Sequence, residues 1–335
     1  MKTLARGWTG KSIVITTMAI SGIGMAICAG AQTVPYPSRP IRMMVGFPPG
    51  SSTDSIARAV GEHLRLKLGQ PVVVDNRPGA NGVLGVTDAA KATPDGYTLL
   101  ATNSSSITVN PQIYRKISYR PERDFTPLTM AISAPFILTV NAAHDRTSNV
   151  HSVADLVKLA RTRPNQLTYG SGGPGNLAHL GFEMINNRAG ITSVHVPYKS
   201  GNAALLAVLG REIDMMLTTP SAVPHVTAGR LKALAVTTSS RWHELPGTPT
   251  MIESGYADFD VPFWLGILAP SKTPPAIIRT LYETISTMRE DAAASKQLRA
   301  MGTVELMDPV NFASRIRAET ALWGEIIKRE KIQLD

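Results

Sequence analysis

Short, wholly apolar runs of strand length recur along this chain, each followed by a segment whose apolar residues repeat at helical spacing. Ile41 to Phe47 is the first run and predicts a buried strand. From Ser52 to Leu68 the apolar positions Ile56, Val60, Leu64 and Leu68 fall on one helix face, and Gly69 supplies the stop. Val72 to Val74 predicts the next strand. It leads into Asn76-Arg77-Pro78-Gly79-Ala80-Asn81-Gly82, a turn-dense loop before another helix. A tight turn at Pro94-Asp95-Gly96 enters a strand over Tyr97 to Ala101, and the polar run Thr102 to Ser106 follows it.

The same alternation continues after Pro135. Phe136 to Val140 predicts a strand, and Ser152-Val153-Ala154-Asp155 resembles a capping box that opens a helix through Arg161. Leu167 to Tyr169 then precedes a Gly-rich turn and a helix through Ile185. Val194 to Val196, Ile213 to Leu217 and Leu231 to Thr237 predict further strands, the first running into Pro197-Tyr198-Lys199-Ser200-Gly201-Asn202 and another helix. Phe263 to Ala269 carries the chain back. Pro274-Pro275 starts a long helix to about Met301, and Val310 to Lys328 forms the last helix. Alternating strands and helices predict an α/β protein whose sheets are mostly parallel and flanked by helices. The pattern divides into lobe one, residues 32–134 and 262–335, and lobe two, residues 135–261. Two strand-like connections make a hinge, and the cleft lies between the lobes.

The N-terminus reads differently. Lys2, Arg6 and Lys11 precede an apolar stretch from Ile13 to Ile27, and Ala29-Gly30-Ala31 fits a small-x-small cleavage site. A cleaved secretory signal over residues 1–31 is expected, with a soluble exported protein starting at Gln32. Cleavage would remove the lone cysteine, Cys28, leaving no disulfide and no thiolate. The three basic residues lost with it lower the formal charge from +9 to +6. The remaining basic residues are scattered, without a dense run or interleaved aromatics, which disfavours nucleic-acid binding.

Two turns carry the candidate chemistry: Pro48-Pro49-Gly50-Ser51-Ser52-Thr53-Asp54 and Gly170-Ser171-Gly172-Gly173-Pro174-Gly175-Asn176. Each lies between a strand and a helix. Such a turn leaves backbone N–H groups unpaired and facing one point, where the helix dipole adds partial positive charge. Either turn alone is an ordinary helix cap. Together, in two lobes, they fit the two ends of a small acid.

Other chemistries find less support. Gly170, Gly172 and Gly175 satisfy G-x-G-x-x-G, yet no carboxylate follows near Thr192 to Tyr198 for a ribose, so no nucleotide cofactor is expected. Gly50 to Asp54 begins like a nucleophile elbow but lacks the closing glycine. The seven histidines show no tight ligand spacing, so no metal is expected. His179 falls between Leu177 and Leu180, where packing competes with a place in the cleft. Lys199 beside Tyr198 fits a ligand carboxylate or plain solvent, and Trp264 fits the core.

With these residues in hand, the chain resembles the periplasmic solute-binding proteins of tripartite tricarboxylate transporters, the Bug receptors. The matching stretches include Tyr36-Pro37-Ser38-Arg39-Pro40-Ile41, the turn Pro49 to Asp54, Val74-Asp75-Asn76-Arg77-Pro78-Gly79-Ala80 and Pro94 to Leu99. Val196-Pro197-Tyr198-Lys199, Leu234 to Thr237, Leu245-Pro246-Gly247-Thr248-Pro249-Thr250 and Trp264-Leu265-Gly266 continue the series in order. The resemblance implies a two-lobed periplasmic binding fold of type II character that captures a small carboxylate without catalysis, and a dicarboxylate or an aromatic acid is the ligand expected. It also implies an integral-membrane permease of two subunits as partner, with the receptor itself monomeric. An exported esterase using the same cleft, or a ligand-sensing subunit, are the alternatives.

Carried onto this chain, the resemblance points to Gly50, Ser51, Ser52, Thr53, Asp54, Asn103 and Ser104 in lobe one. In lobe two it points to Ser171, Gly172, His179, Tyr198 and Lys199, and Thr218 is added as facing a neutral or acidic group. The chain departs from the family pattern at Ser51, Asn81 and Ser200, where glycine is usual. Leu217-Thr218-Thr219 stands where members often place an acidic residue, which disfavours a ligand ammonium.

Overall fold

The computed structural model describes residues 35–330; the expected signal segment and Cys28 lie outside the described residues. Eleven strands form two sheets among the described residues. The first contains β1 (Ile41–Val45), β2 (Val72–Asn76), β3 (Thr98–Asn103), β4 (Phe125–Pro135), β10 (Pro262–Pro270) and β11 (Thr303–Met307), in the order β11-β4-β10-β3-β1-β2. The second contains β5 (Ile137–Asn141), β6 (Thr168–Ser171), β7 (Val194–Pro197), β8 (Met215–Thr218) and β9 (Leu231–Val236), in the order β7-β6-β8-β5-β9. The protein is a two-lobed α/β fold, one lobe about each sheet.

The expectation of mostly parallel sheets needs correction, because both sheets are mixed. β1 pairs parallel with β2 and β3, whereas β10 runs antiparallel to β3 and β4, and β11 antiparallel to β4. In the second sheet β6 is parallel to β7 and β8, while β5 is antiparallel to β8 and β9. The antiparallel pairings come from the strands that carry the chain between lobes. These return without a helical crossover and so meet their neighbours head to tail.

Helix α1 (Ser52–Leu68) buries Ile56, Val60 and Leu64 against the first sheet and ends at Gly69, whose left-handed φ of 69° closes the last turn. The next helix, α2 (Val83–Ala90), approaches β1 through glycines. A Cβ on Gly85 would stand 2.6 Å from the Gly46 Cα, too close for any other residue. This contact draws the Pro78–Gly82 loop beside the turn after β1. In lobe two the flanking helices are α3 (Val153–Thr162), α4 (Leu177–Ala189) and α5 (Gly201–Leu209). Ser152 caps α3 by accepting from the Asp155 N–H, and Asp155 accepts in turn from His151, so the expected capping box forms one residue further out.

The expected long helix to Met301 is two helices. α6 (Pro275–Ser286) runs into a 3₁₀ turn over Thr287–Arg289, and α7 (Ala292–Arg299) restarts on Asp291, whose carboxylate accepts from the Ala293 and Ala294 N–H groups. The last helix, α8 (Pro309–Arg329), packs on the first sheet. There Trp264 is a core residue, 1% exposed, donating its indole N–H to buried Glu319 at 2.7 Å.

Both connections between the lobes meet at Thr237. Its N–H donates to the Phe136 carbonyl and its hydroxyl donates to the Val261 carbonyl at 2.7 Å. The Phe136 N–H donates to that same hydroxyl oxygen at 2.9 Å, and the Val261 N–H to the Thr237 carbonyl at 2.8 Å. One fully buried side chain thus ties the outgoing and returning strands together.

Candidate functional site

Three helices and one irregular helical segment begin at the interface between the lobes. Ser51 caps α1, Asn176 caps α4 and Ser200 caps α5, each through a side-chain oxygen that accepts from an N–H two or three residues on. Ser104 and Ser105 open the helical segment after β3. A capping side chain satisfies only one of the first-turn donors. The N–H groups of Ser52, Thr53 and Gly201 have no protein acceptor among the described residues.

These starts surround a small cavity of about 60 Å³. Ser51, Ser52, Thr53, Asn103, Ser104 and Ser105 form its wall from lobe one, and Gly172, Asn176, Ser200, Gly201 and Thr219 its wall from lobe two. Phe47, Phe136, Phe263, Leu265, Met216 and Leu217 complete it on the apolar side, with the Phe136 and Phe263 rings 5.0 Å apart. No charged side chain lines it among the described residues. The charge an occupant meets therefore comes from backbone amides and helix dipoles, which favour an anion.

A second, larger chamber of about 530 Å³ adjoins the first, and Phe47 and Gly172 line both. Its walls are Pro48, the Pro78–Gly82 loop, Gly173, Pro174, Tyr198 and Lys199.

Among the residues expected from the sequence, Ser51, Ser52, Thr53, Asn103, Ser104 and Gly172 line the inner cavity. Tyr198 and Lys199 line the outer chamber instead. Gly50, Asp54, Ser171, His179 and Thr218 line neither, for identifiable reasons. Asp54 is buried, and its carboxylate accepts from Arg58, from Asn76 and from the Gly50 N–H at 3.0 Å, which fixes the turn rather than facing an occupant. Burial pushes the Asp54 carboxyl up, but these hydrogen bonds and the Arg58 charge hold it below the ordinary carboxylate value. The Gly50 carbonyl accepts from Asn202 Nδ2 across the cleft at 2.6 Å. Thr218 donates to the Ile137 carbonyl inside the second sheet, and its neighbour Thr219 faces the cavity instead.

Ser171 and His179 sit behind the Gly-rich turn. The Ser171 hydroxyl accepts from the Gly173 N–H and contacts His195 Nε2 at 2.7 Å. His179 Nδ1 accepts from the Gly175 N–H at 3.2 Å, and the His179 and His195 rings stack at 4.1 Å. Burial lowers both imidazoles to about 4, with the neighbouring His179 adding to the effect on His195. Ser171 is 0% exposed, so its pairing with a histidine supports the turn and offers no reachable nucleophile.

The sequence reading missed Ser105, Asn176, Ser200, Gly201 and Thr219. All but Thr219 lie in polar turn segments it had marked, and Thr219 follows directly on Thr218. The apolar wall had no sequence signal, since Phe47, Phe136, Phe263 and Met216 read as strand core.

Two lobes joined by a double-stranded hinge, with helix N-termini of both facing one cavity, define a bilobal solute-binding protein. The chain belongs to the tripartite tricarboxylate transporter family receptors, whose family model matches residues 56–332. It is 33% identical over 330 residues to protein BugT of Bordetella pertussis, covering 97% of this chain and 98% of that one. Rpa4515 of R. palustris, solved with adipate, superposes with a TM-score of 0.84 at 30% identity, covering 89% of this chain and 99% of that one. MatC of Rhodopseudomonas palustris, solved with bound malate, superposes with a TM-score of 0.80 at 27% identity, covering 87% of this chain and all of that one.

Proposed function

We propose that this protein is a periplasmic receptor that closes on a small organic carboxylate and delivers it to a two-subunit integral-membrane permease. Export through a signal cleaved after Ala31 and action as a monomer belong to the same reading. The observation that carries it is the convergence of unpaired first-turn amides of Ser52, Thr53 and Gly201, from both lobes, on one cavity without an acidic wall. A carboxylate there gains about 0.3–2 kcal/mol from each helix dipole. Charge-assisted hydrogen bonds contribute roughly 1.5–3 kcal/mol each. Two dipoles and three such bonds together amount to about 5–13 kcal/mol, which spans the roughly 8 kcal/mol of a micromolar binder before association and closure costs.

The apolar wall formed by Phe136, Phe263, Met216 and Leu217 fits a ligand with a hydrocarbon body, aliphatic or aromatic. The lack of any carboxylate in it disfavours amino acids, whose ammonium would be left unpaired. Adipate in Rpa4515 and malate in MatC are carboxylates held by related folds, in keeping with this reading. The receptor reading is favoured over a hydrolase because Ser171 is sealed from the cavity.

Calorimetric titration of ligand-free residues 32–335 with succinate, malate, adipate, citrate, benzoate and glutamate tests the proposal. Saturable binding of at least one carboxylate, and none of glutamate, is expected. Absence of heat with every acid would overturn it.

A further inference from the structure

Apart from the ligand cleft, a second crevice of about 310 Å³ runs between the lobes. Lobe two supplies Pro220, Val223, Pro224 and Trp242 as an apolar wall, and α7 of lobe one faces them with Lys296 and Arg299. Strand alternation places this crevice behind the connecting strands. Phe136 lines the inner cavity, whereas the next residue, Ile137, packs with Trp242 and Val236, so cavity and crevice wall take opposite faces of one strand. The two spaces also share a segment of chain, since Thr219 lines the cavity and Pro220 the crevice.

The walls of the crevice select for an anion. Lys296 and Arg299 stand three residues apart on one face of α7, and neither forms an ion pair among the described residues. The carbonyl end of α7 adds about half a negative charge there. Glu244, on the opposite wall, adds a full one. Two cations outweigh both, so the space is net positive. Trp242 is 6% exposed, and its buried indole N–H meets no acceptor among the described residues. Buried donors are nearly always paired, so this wall still has a hydrogen bond to give. A volume of about 310 Å³ is within the range of small-molecule sites.

Closure links the crevice to the cleft. Lobes that turn about their connecting strands move surfaces on the two faces of those strands in opposite senses, so the crevice is widest when the cleft is shut. In this structure hydrogen bonds from Leu177 to Ser105 and from Asn202 to Gly50 cross the cleft, and the crevice stands open behind it. We infer that the crevice is a second binding site, for a small organic anion with an apolar body, and that its occupation favours closure and so tightens the hold on the carboxylate in the cleft. This rests on the proposed closing of the receptor on a carboxylate and adds to it a second ligand. By linkage the carboxylate must tighten the second anion by the same factor.

The test uses anilinonaphthalene sulfonate, an anion with an apolar body that fluoresces in apolar surroundings, on the full mature chain saturated with whichever acid of the calorimetric series binds. With the cleft occupied, the fluorescence reads the crevice, and saturable binding is expected. The Lys296→Met, Arg299→Met double variant should weaken it about tenfold or more, the loss of one charge-assisted contact. Glu244→Gln should strengthen it. All three residues are exposed, so these variants keep the fold. In the reverse experiment, saturating sulfonate should tighten the acid about fivefold or more, the lower end of ordinary allosteric coupling. Ala300→Trp, which fills the crevice from lobe one without a ligand, should tighten the acid as well. Three results would each overturn the inference while leaving the carboxylate receptor intact: no saturable binding to the acid-loaded protein, binding that survives the double variant, or an acid affinity that neither the sulfonate nor Ala300→Trp raises. Failure of every acid to bind would instead remove the receptor reading beneath it.

Discussion

Single residues decide how the site tolerates acid. His179 and His195 support the Gly-rich turn from behind as neutral rings, His179 by accepting from Gly175 and His195 by contacting Ser171. The groups that face them are Tyr169, stacked on both rings, and Glu183, which accepts from the Tyr169 hydroxyl and lies 4.0 Å from His179 Nε2. Burial outweighs these partners and lowers both imidazoles from 6.5 to about 4. Between those values the unfolded chain binds protons that the folded one refuses, so stability is complete above pH 6.5 and falls as the pH drops towards 4. Asp54 acts in a separate window. Its lowered carboxyl contributes stability that is complete above 3.8 and lost only as the pH falls through its folded value below that. The thermal midpoint should therefore decline between pH 6.5 and 4, and a His179→Gln, His195→Gln double variant should flatten that slope without altering the change below pH 3.8. An unchanged slope in the double variant would show that other groups carry it. The sequence marked His179 only as a residue divided between packing and cleft. Its partner His195, 16 positions on in the next strand, comes beside it only through the parallel pairing of β6 with β7.

At the scale of elements, the strand-turn-helix units were legible because local chemistry specifies them. Ser51, Ser152, Ser200 and Asp308 cap where their sequence neighbourhoods predict helix starts, and Gly69 ends α1 as expected. What stayed hidden were elements defined by tertiary pairing. β4 contains Pro127 and small residues without alternation, and is held by pairing with β10 and β11 on either side. β11 is a short edge strand between two stretches that read as helix, and only β4 gives it a partner. The cavity's apolar wall was invisible for the same reason, since a strand residue facing ligand and one facing core look alike in sequence. The legible units also permit a sharp test. Ser52 is the first residue of α1, where proline is favoured, and Ser51 already has the extended ψ of 160° that a following proline demands. Ser52→Pro should thus leave the ligand-free thermal midpoint near that of the natural chain while deleting one N–H from the cavity. Loss of a hydrogen bond to a charged group costs about 1.5–3 kcal/mol, so affinity for the acid should fall roughly 10- to 150-fold. Natural affinity in a folded Ser52→Pro protein would take the first turn out of the site.

Across the whole molecule, the lobes are joined at the connecting strands, at the cleft and by the Arg188–Glu330 pair, and the first two kinds of contact should have separable effects on binding. At the connection between the lobes, Thr237 bonds to both connecting strands and is fully buried, so under the proposed closure its bonds are expected in both forms. At the cleft, Asn202 donates to the Gly50 carbonyl at 2.6 Å, the Leu177 N–H donates to Ser105 at 3.0 Å, and the Tyr114 hydroxyl donates to the Pro174 carbonyl at 3.1 Å. Each of these cleft bonds joins lobe one to lobe two, so under the proposed closure on a ligand each would break when the lobes part. A contact made only in the closed state slows opening and leaves encounter with the ligand untouched. Asn202 is the most informative of the three because its bond is exposed, so that removing it leaves the Gly50 carbonyl to water rather than buried and unpaired. A net contribution of about 0.5–1.5 kcal/mol corresponds to a dissociation rate raised roughly 2- to 12-fold in Asn202→Ala, with the association rate unchanged. Thr237→Val should do the reverse, lowering the thermal midpoint while changing dissociation little, since it removes bonds common to the open and closed forms. Stopped-flow association and dissociation of a carboxylate that the titration shows to bind, measured on both variants, separates the two roles. If Asn202→Ala slowed association instead, the Asn202–Gly50 contact would be part of the encounter surface and not a closure contact.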